Sequence, residues 1–134
     1  MLGVIHRGLQ KGLQTTWTLG KVIFPVTIIV TILQYTPILP WVIQLLTPVM
    51  GLIGLPGEAA VALVLGNAVN LFAGIGAIVS FEFTVKEVFM MAVMLSFSHN
   101  LIIESAVASK VGVSGLLLSG IRVALALFAG VVIN

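Results

Sequence analysis

One stretch decides the fold of this chain: Trp41-Val-Ile-Gln-Leu-Leu-Thr-Pro-Val-Met-Gly-Leu-Ile-Gly-Leu-Pro-Gly-Glu58. It is apolar enough for a membrane, but proline and glycine interrupt it and a carboxylate ends it. The part from Trp41 to Leu55 measures only about 22 Å as a helix, whereas the hydrocarbon core of a bilayer is about 30 Å thick. We therefore predict a half-helix that enters the membrane and turns at residues 54–57, so that Glu58 opens the next helix. The alternative is two spanning helices joined by a tight turn at the interface.

The composition of the chain predicts an all-α integral membrane protein. Of its 134 residues, 60% are hydrophobic and only 7% are charged, and the mean hydropathy is +1.26. The run from Val22 to Gly57 contains no charged residue. A soluble domain of this length could not bury so much apolar surface, and helices satisfy their own backbone hydrogen bonds in lipid.

The few charges indicate orientation and do not favour nucleic-acid binding. The net charge is +2 and the pI is about 9.4. Arg7, Lys11 and Lys21 precede the first long apolar run, which predicts a cytoplasmic N-terminus. Lys86 and Lys110 lie on successive later loops and oppose one another, so the remaining topology is weakly specified. The chain has no cysteine, which excludes disulfides and thiolate metal sites.

The periodicity predicts two regions and about five membrane segments, one of them a re-entrant helical hairpin. Residues 1–18 have a basic polar face and an apolar face that ends in Trp17, a pattern typical of an interfacial helix or of an arm that packs on a partner. Residues 19–134 are predicted to form a single membrane module. Its predicted segments are a helix over 22–39, a hairpin with a small-residue helix over 41–80, a polar segment over 88–109 and a last helix over 112–133.

Polar side chains inside these segments are the candidate functional groups. Asn100 and Glu104 are four residues apart, so they share a helical face, and His99 lies beside it. Together they can bind a polar solute, accept a proton or bind a cation, or they can fasten helices to one another. Arg122 lies near the middle of the last helix, where we predict an ion pair with Glu58 or Glu104; binding of an anionic substrate is the alternative.

The order of these features resembles the nucleoside-recognition or Gate domain family, which includes spore-maturation-type inner-membrane proteins. The resemblance covers residues 15–133 and rests on short blocks of sequence: Trp17 with Lys21, Pro25, Gly54-Leu-Pro-Gly-Glu58, Gly66-Asn67 with Asn70, and Ser98-His99-Asn100 with Glu104. Such a module is similar to half of a concentrative nucleoside transporter and to the membrane part of ferrous-iron transporters. The glutamine-threonine pair of the nucleoside transporters' hairpin tip is replaced here by Pro56 and Gly57.

The resemblance implies a function and a set of contacts. In the nucleoside transporters, polar residues of a re-entrant tip meet the substrate, which here implicates Glu58, Asn67 and Asn70, followed by Asn100 and Glu104. A transporter of this type uses two inverted modules. We therefore expect a membrane-embedded homodimer, antiparallel in arrangement, or a heterodimer with a related Gate protein, located in the prokaryotic inner membrane.

We thus predict a small-solute transporter or half-transporter that binds a polar solute, such as a nucleoside, or a coupling ion. The alternative is a membrane scaffold that assembles a larger complex without transporting anything. We expect neither an enzyme nor a cofactor or metal, since the run from His99 to Glu104 is not the two-histidine zinc motif of metalloproteases.

Overall fold

The computed structural model describes residues 2–134, which fold into seven helices with no strand among them. This confirms the all-α prediction. Three apolar stretches of the described residues are long enough to cross a membrane: Gly3–Gln34, Val85–Lys110 and Gly115–Ile133. The helices are α1 Leu2–Gln34, α2 Ile38–Gly51, α3 Ala59–Ala68, α4 Leu71–Ser80, α5 Val85–Ser98, α6 Leu101–Lys110 and α7 Gly115–Ile133.

The first helix is longer than the sequence suggested. The segments predicted over 1–18 and 22–39 form one continuous helix from Leu2 to Gln34, and Met1 lies outside the described residues. Pro25, which would fall in the first turn of a helix over 22–39, lies inside this longer helix, where its missing N–H removes one intrahelical hydrogen bond. Residues 3–18 are all exposed, whereas the second half of α1 packs on α4.

The Leu-Pro-Gly-Glu turn lies at the end of the molecule where the chain terminates. The preceding helix, α2, ends at Gly51 and not at Leu55, and Gly54 adopts a positive φ of 71°. Gly54 lies directly beside the side chain of Asn134. Gly57 packs against α2, where a β-carbon would collide with neighbouring side chains, so the turn folds back on the helix before it.

The hairpin of the structure is formed by α3 and α4, which differs from the prediction. The small-residue helix expected in the second half of the 41–80 segment is interrupted at Val69 and Asn70, and the chain reverses direction there. Each arm has ten residues, or about 15 Å, half the thickness of a hydrocarbon core. A β-carbon on Gly74 would lie 2.9 Å from Gly66 Cα, so the two arms touch through their backbones.

The polar segment predicted over 88–109 is also interrupted. It begins at Val85, after a capping box formed by Thr84 and Glu87, and it breaks at His99 and Asn100 between α5 and α6. Asn100 has a φ of 54° and is the only residue other than glycine with a positive φ among residues 2–134. The break therefore depends on an asparagine, a residue that tolerates the left-handed conformation.

The last helix, α7, packs antiparallel to α5 and is hydrogen-bonded at both ends of α5. Arg122, near the middle of α7, donates to the Phe97 carbonyl at the end of α5, while Lys86 at the start of α5 donates to the Asn134 carbonyl over 2.8 Å. The core between these elements is rich in methionine and alanine. Its most buried large side chains are Met90, Met91 and Leu95.

Candidate functional site

Two helix interruptions meet inside the bundle. The backbone N–H of Asn100, in the break between α5 and α6, donates to the Gly66 carbonyl of α3 over 3.1 Å. This bond places the α5–α6 break beside the last turn of α3, just before the reversal at Asn70. We call this place the junction and define it by Gly66, Asn67, Asn70, His99 and Asn100.

The three asparagines of the junction differ in how their side chains are satisfied. Asn70 caps α4, because its Oδ1 accepts from the Ala73 N–H over 2.9 Å. Asn67 donates from Nδ2 to the Leu63 carbonyl over 2.7 Å. The Oδ1 atoms of Asn67 and Asn100 are buried and have no hydrogen-bond partner among the described residues. A buried acceptor left unpaired costs about 1–3 kcal/mol, so both oxygens are available to a donor or a cation.

Space adjoins one of these two asparagines. A cavity of about 330 Å³ lies among α2, α3, α5, α6 and α7, and Asn67 and Ser98 are among the residues that line it. Its remaining lining is almost entirely apolar. Ser98 is 1% exposed, and its hydroxyl donates to the Met94 carbonyl over 3.0 Å. An apolar pocket with a few polar groups is the usual form of a small-molecule site.

Arg122 closes the other side of the break. Its Nε donates to the Phe97 carbonyl over 2.7 Å and its Nη2 to the His99 carbonyl over 3.2 Å. Its Nη1 forms an ion pair with Glu104, which decides between the two predicted partners. Carbonyl groups at a helix C-terminus lack intrahelical donors and carry partial negative charge. The guanidinium therefore neutralises both this helix end and a carboxylate.

His99 connects the break to the same carboxylate. Its Nδ1 lies 2.8 Å from the Leu95 carbonyl oxygen, and its Nε2 lies 3.6 Å from Glu104 Oε1. The Glu104 side chain is 42% exposed, compared with 15% for Arg122. Glu104 thus holds two cationic or potentially cationic partners while part of its surface remains open.

The structure does not bring Glu58 to the junction. Glu58 precedes the first residue of α3, ten residues from the reversal of the hairpin, which corresponds to about 15 Å. It lines a cavity of about 410 Å³ together with Glu82 and Glu87. The predicted site residues therefore divide into Glu58 at one end of the bundle and a partly buried group at or next to the junction: Asn67, Asn70, His99, Asn100 and Glu104.

Sequence reasoning missed two members of this site. Gly66 was quoted only as part of a sequence block, yet its carbonyl accepts the hydrogen bond that joins α3 to the α5–α6 break. Ser98 was quoted only as part of a sequence block, yet it is buried beside the cavity. The asparagines nearby carried a usable signal, since asparagine favours both helix N-caps and left-handed positions.

Comparison with known proteins identifies the family. The family model described as Gate, nucleoside recognition, matches residues 16–117, which include the hairpin and both interruptions. The chain belongs to the Gate family. This Gate chain is similar to an uncharacterized membrane protein, YvoD of Bacillus subtilis (strain 168), with 61% identity over 134 residues. The alignment covers 100% of the Gate chain but 43% of YvoD, so the chain spans less than half of that relative. No solved structure matches it significantly.

Proposed function

We propose that this Gate module is half of a membrane transporter for a small polar solute, with nucleosides and related compounds as the first candidates. One observation supports the proposal above the others: a backbone hydrogen bond joins two interrupted helices at the junction, where two buried amide oxygens have no partner among the described residues. An amide oxygen can accept from a solute hydroxyl or amine, or it can coordinate a coupling ion. The proposed role is binding and translocation, without bond chemistry.

The short hairpin supports this role. Both ends of the hairpin, Glu58 and Phe81, line one cavity, while its reversal at Asn70 lies about 15 Å away. If the base lies at one membrane surface, the reversal reaches the middle of the bilayer. Discontinuous helices that end near the midplane are how transporters expose backbone groups to a solute.

A second module completes the site in this proposal. Transporters with broken helices bind their solute between two inverted modules, and the chain provides one. More than half of the relative YvoD lies outside the aligned region, which is room for another module of this size. We propose that the second module is an inverted copy of this chain or a related Gate protein, and that the assembly resides in the prokaryotic cytoplasmic membrane.

The alternative is a scaffold that assembles a larger membrane complex without transport. The contacts of Arg122 favour it, because this cation is fully occupied by Glu104 and by two carbonyl groups of the broken helix. A scaffold needs polar groups that fasten its helices to one another. The scaffold hypothesis gives no role to the unpaired amide oxygens of Asn67 and Asn100, and for this reason we rank transport first.

Removal of the two free amide oxygens should abolish uptake while the fold is kept. We expect Asn67→Leu and Asn100→Gly to lower uptake of a radiolabelled nucleoside into proteoliposomes by about 10-fold or more, as loss of a buried polar contact to a solute does. Glycine preserves the left-handed conformation at position 100, so Asn100→Gly removes the amide without straining the break.

Gln44→Ala serves as the control, because Gln44 is exposed on α2 and lies outside the junction. Asn100→Asp, which keeps an oxygen acceptor, should retain more uptake than Asn100→Gly. Uptake by both amide variants at the level of the Gln44→Ala control would refute the proposed site. A chain that is well folded in proteoliposomes but takes up no nucleoside and no related solute would support the scaffold.

A further inference from the structure

The first half of α1 is a basic arm that is exposed along its length. All residues from 3 to 18 are exposed. Three of the six lysines and arginines of the protein lie on α1, at Arg7, Lys11 and Lys21, and residues 1–57 contain no aspartate or glutamate. We call residues 3–21 the basic arm. Its cations have no carboxylate nearby within their own chain.

The opposite charge is concentrated at the base of the hairpin. Glu58, Glu82 and Glu87 line one cavity of about 410 Å³, and they are three of the four carboxylates of the protein. We call this set the acidic end. The neighbouring Lys86 is held by the carbonyl of Asn134, so it does not pair with these carboxylates in the structure. Phe81 and Phe83 line the same cavity and add an apolar surface.

The basic arm and the acidic end lie on opposite sides of the hairpin reversal. Thr27 of α1 donates to the Gly76 carbonyl, and Gln34 donates to the Ser80 carbonyl, so α1 and α4 run parallel. Thr27 and Gly76 lie at the same level, and the two helices are parallel. Lys21 and Asn70, each six residues earlier in the chain, therefore also lie near one level. The acidic end is about 15 Å from that level in one direction, because α4 has ten residues. Arg7 and Lys11 are about 15–21 Å from it in the other direction.

These equal and opposite displacements have a consequence for pairing. In two parallel copies, the arm of one copy and the acidic end of the other are about 30 Å or more apart along the helix axes, which exceeds the screening length of about 8–10 Å in physiological salt. Two antiparallel copies can instead be related by a two-fold axis that is perpendicular to the helices and passes at the level of Asn70. Arg7 and Lys11 of one copy then lie at the level of the acidic end of the other.

We propose that the basic arm docks on the acidic end of a second, inverted copy of this chain. We favour a second copy as the partner because the charges of the arm and the acidic end are complementary and the two lie at the same level along the helix axes of an antiparallel pair. An anionic lipid surface would attract the arm but repel the acidic end. The opposite, apolar face of the arm, with Leu9, Leu13 and Trp17 exposed at four-residue spacing, then remains turned towards lipid. This inference rests on the inverted pairing in the proposed function and adds the contact that selects it.

Cysteine cross-linking tests the docking directly, because the chain has no cysteine of its own. A β-carbon at Gly8 meets nothing within 4 Å, and Val85 is 88% exposed beside the acidic end. We expect a mixture of Gly8→Cys and Val85→Cys chains in proteoliposomes to give a Gly8–Val85 cross-linked dimer. Either variant alone should give little product, and a dominant Gly8–Gly8 product would overturn the proposal by showing a parallel pair.

Charge reversal separates docking from chance proximity. Arg7→Glu combined with Lys11→Glu should lower the Gly8–Val85 product about tenfold, since like charges then face one another, and adding Glu82→Lys should restore part of it. Lys110→Glu is the matched control, because Lys110 is an exposed cation outside the arm. A product that is insensitive to arm charge, or an arm that binds anionic vesicles and gives no cross-link, would overturn the docking.

Nucleoside uptake by the same proteoliposomes distinguishes the two proposals. The cross-link without uptake of any solute would preserve the docking and remove the transport function. Uptake with no Gly8–Val85 product in any mixture would preserve transport and remove the docking.

Discussion

Arg122→Ala is expected to destabilise the protein more than any other single charge removal, by about 2 kcal/mol, between the small loss for an exposed ion pair and the loss of about 3–5 kcal/mol for a fully buried one. The loss leaves Glu104 without its guanidinium and two carbonyl groups of the α5–α6 break without donors. The exposure of Glu104 keeps the effect below the upper range, because water can reach that carboxylate. Unfolding in detergent micelles, followed by circular dichroism against denaturant, measures the change.

Two companion variants identify the source of this loss. Lys110→Ala removes an exposed cation and should change stability by no more than about 0.5 kcal/mol. Glu104→Gln should cost less than Arg122→Ala, because the guanidinium keeps its bonds to Phe97 and His99. In the double variant, the two losses should be less than additive, as expected for residues in contact. Equal stability of Arg122→Ala and Lys110→Ala would contradict the proposed closing of the break.

Gly74→Val is expected to disrupt the hairpin. A β-carbon at this position would lie 2.9 Å from Gly66 Cα and 3.1 Å from the Ala62 carbonyl oxygen, and backbone atoms cannot move aside as a flexible side chain can. Overpacking of this kind typically costs about 1–3 kcal/mol, and a branched side chain between two backbones belongs at the top of that range. Separation of α3 from α4 would also displace Gly66 from Asn100, so both stability and uptake should fall.

Gly120→Ala provides the matched control for this substitution. Gly120 lies inside α7, and a β-carbon there meets nothing within 4 Å. Alanine should therefore stabilise α7 by about 0.5–1 kcal/mol through its better helix propensity. Thermal unfolding of the two variants in the same detergent compares them. A Gly74→Val protein as stable as the Gly120→Ala protein would show that the two arms of the hairpin do not touch as described.

The sequence was sufficient for the class of protein and for the identity of its polar groups. Apolar runs with few charges predict membrane helices from the cost of placing charge in lipid, and the described residues contain three helical stretches long and apolar enough to span a bilayer. The ion pair between Arg122 and Glu104 was one of two predicted alternatives, and spacing along the chain could not select it. The choice depends on how α6 packs against α7, which is a long-range property.

The positions of the breaks were not predictable from hydropathy alone. Residues 59–81 and 88–109 are each apolar on average despite their asparagines and, in the second stretch, His99 and Glu104, so a window average shows one helix where the structure has two. The hairpin reverses at Asn70, whereas the prediction placed the turn at the Leu-Pro-Gly-Glu stretch because proline and glycine are the strongest sequence breakers. That stretch does break the chain, but tertiary packing places it beside Asn134 and the acidic end.

The continuity of α1 gives the molecule a mechanical link between its surface and its interior. The basic arm and the part of α1 that hydrogen-bonds to α4 belong to one helix, and residues 3–18 extend about 24 Å along its axis. A change in the tilt of the arm is therefore transmitted to α4 and to the hairpin. Pro25 removes one intrahelical hydrogen bond between the two parts, so the bending stiffness of α1 is lowest near this residue.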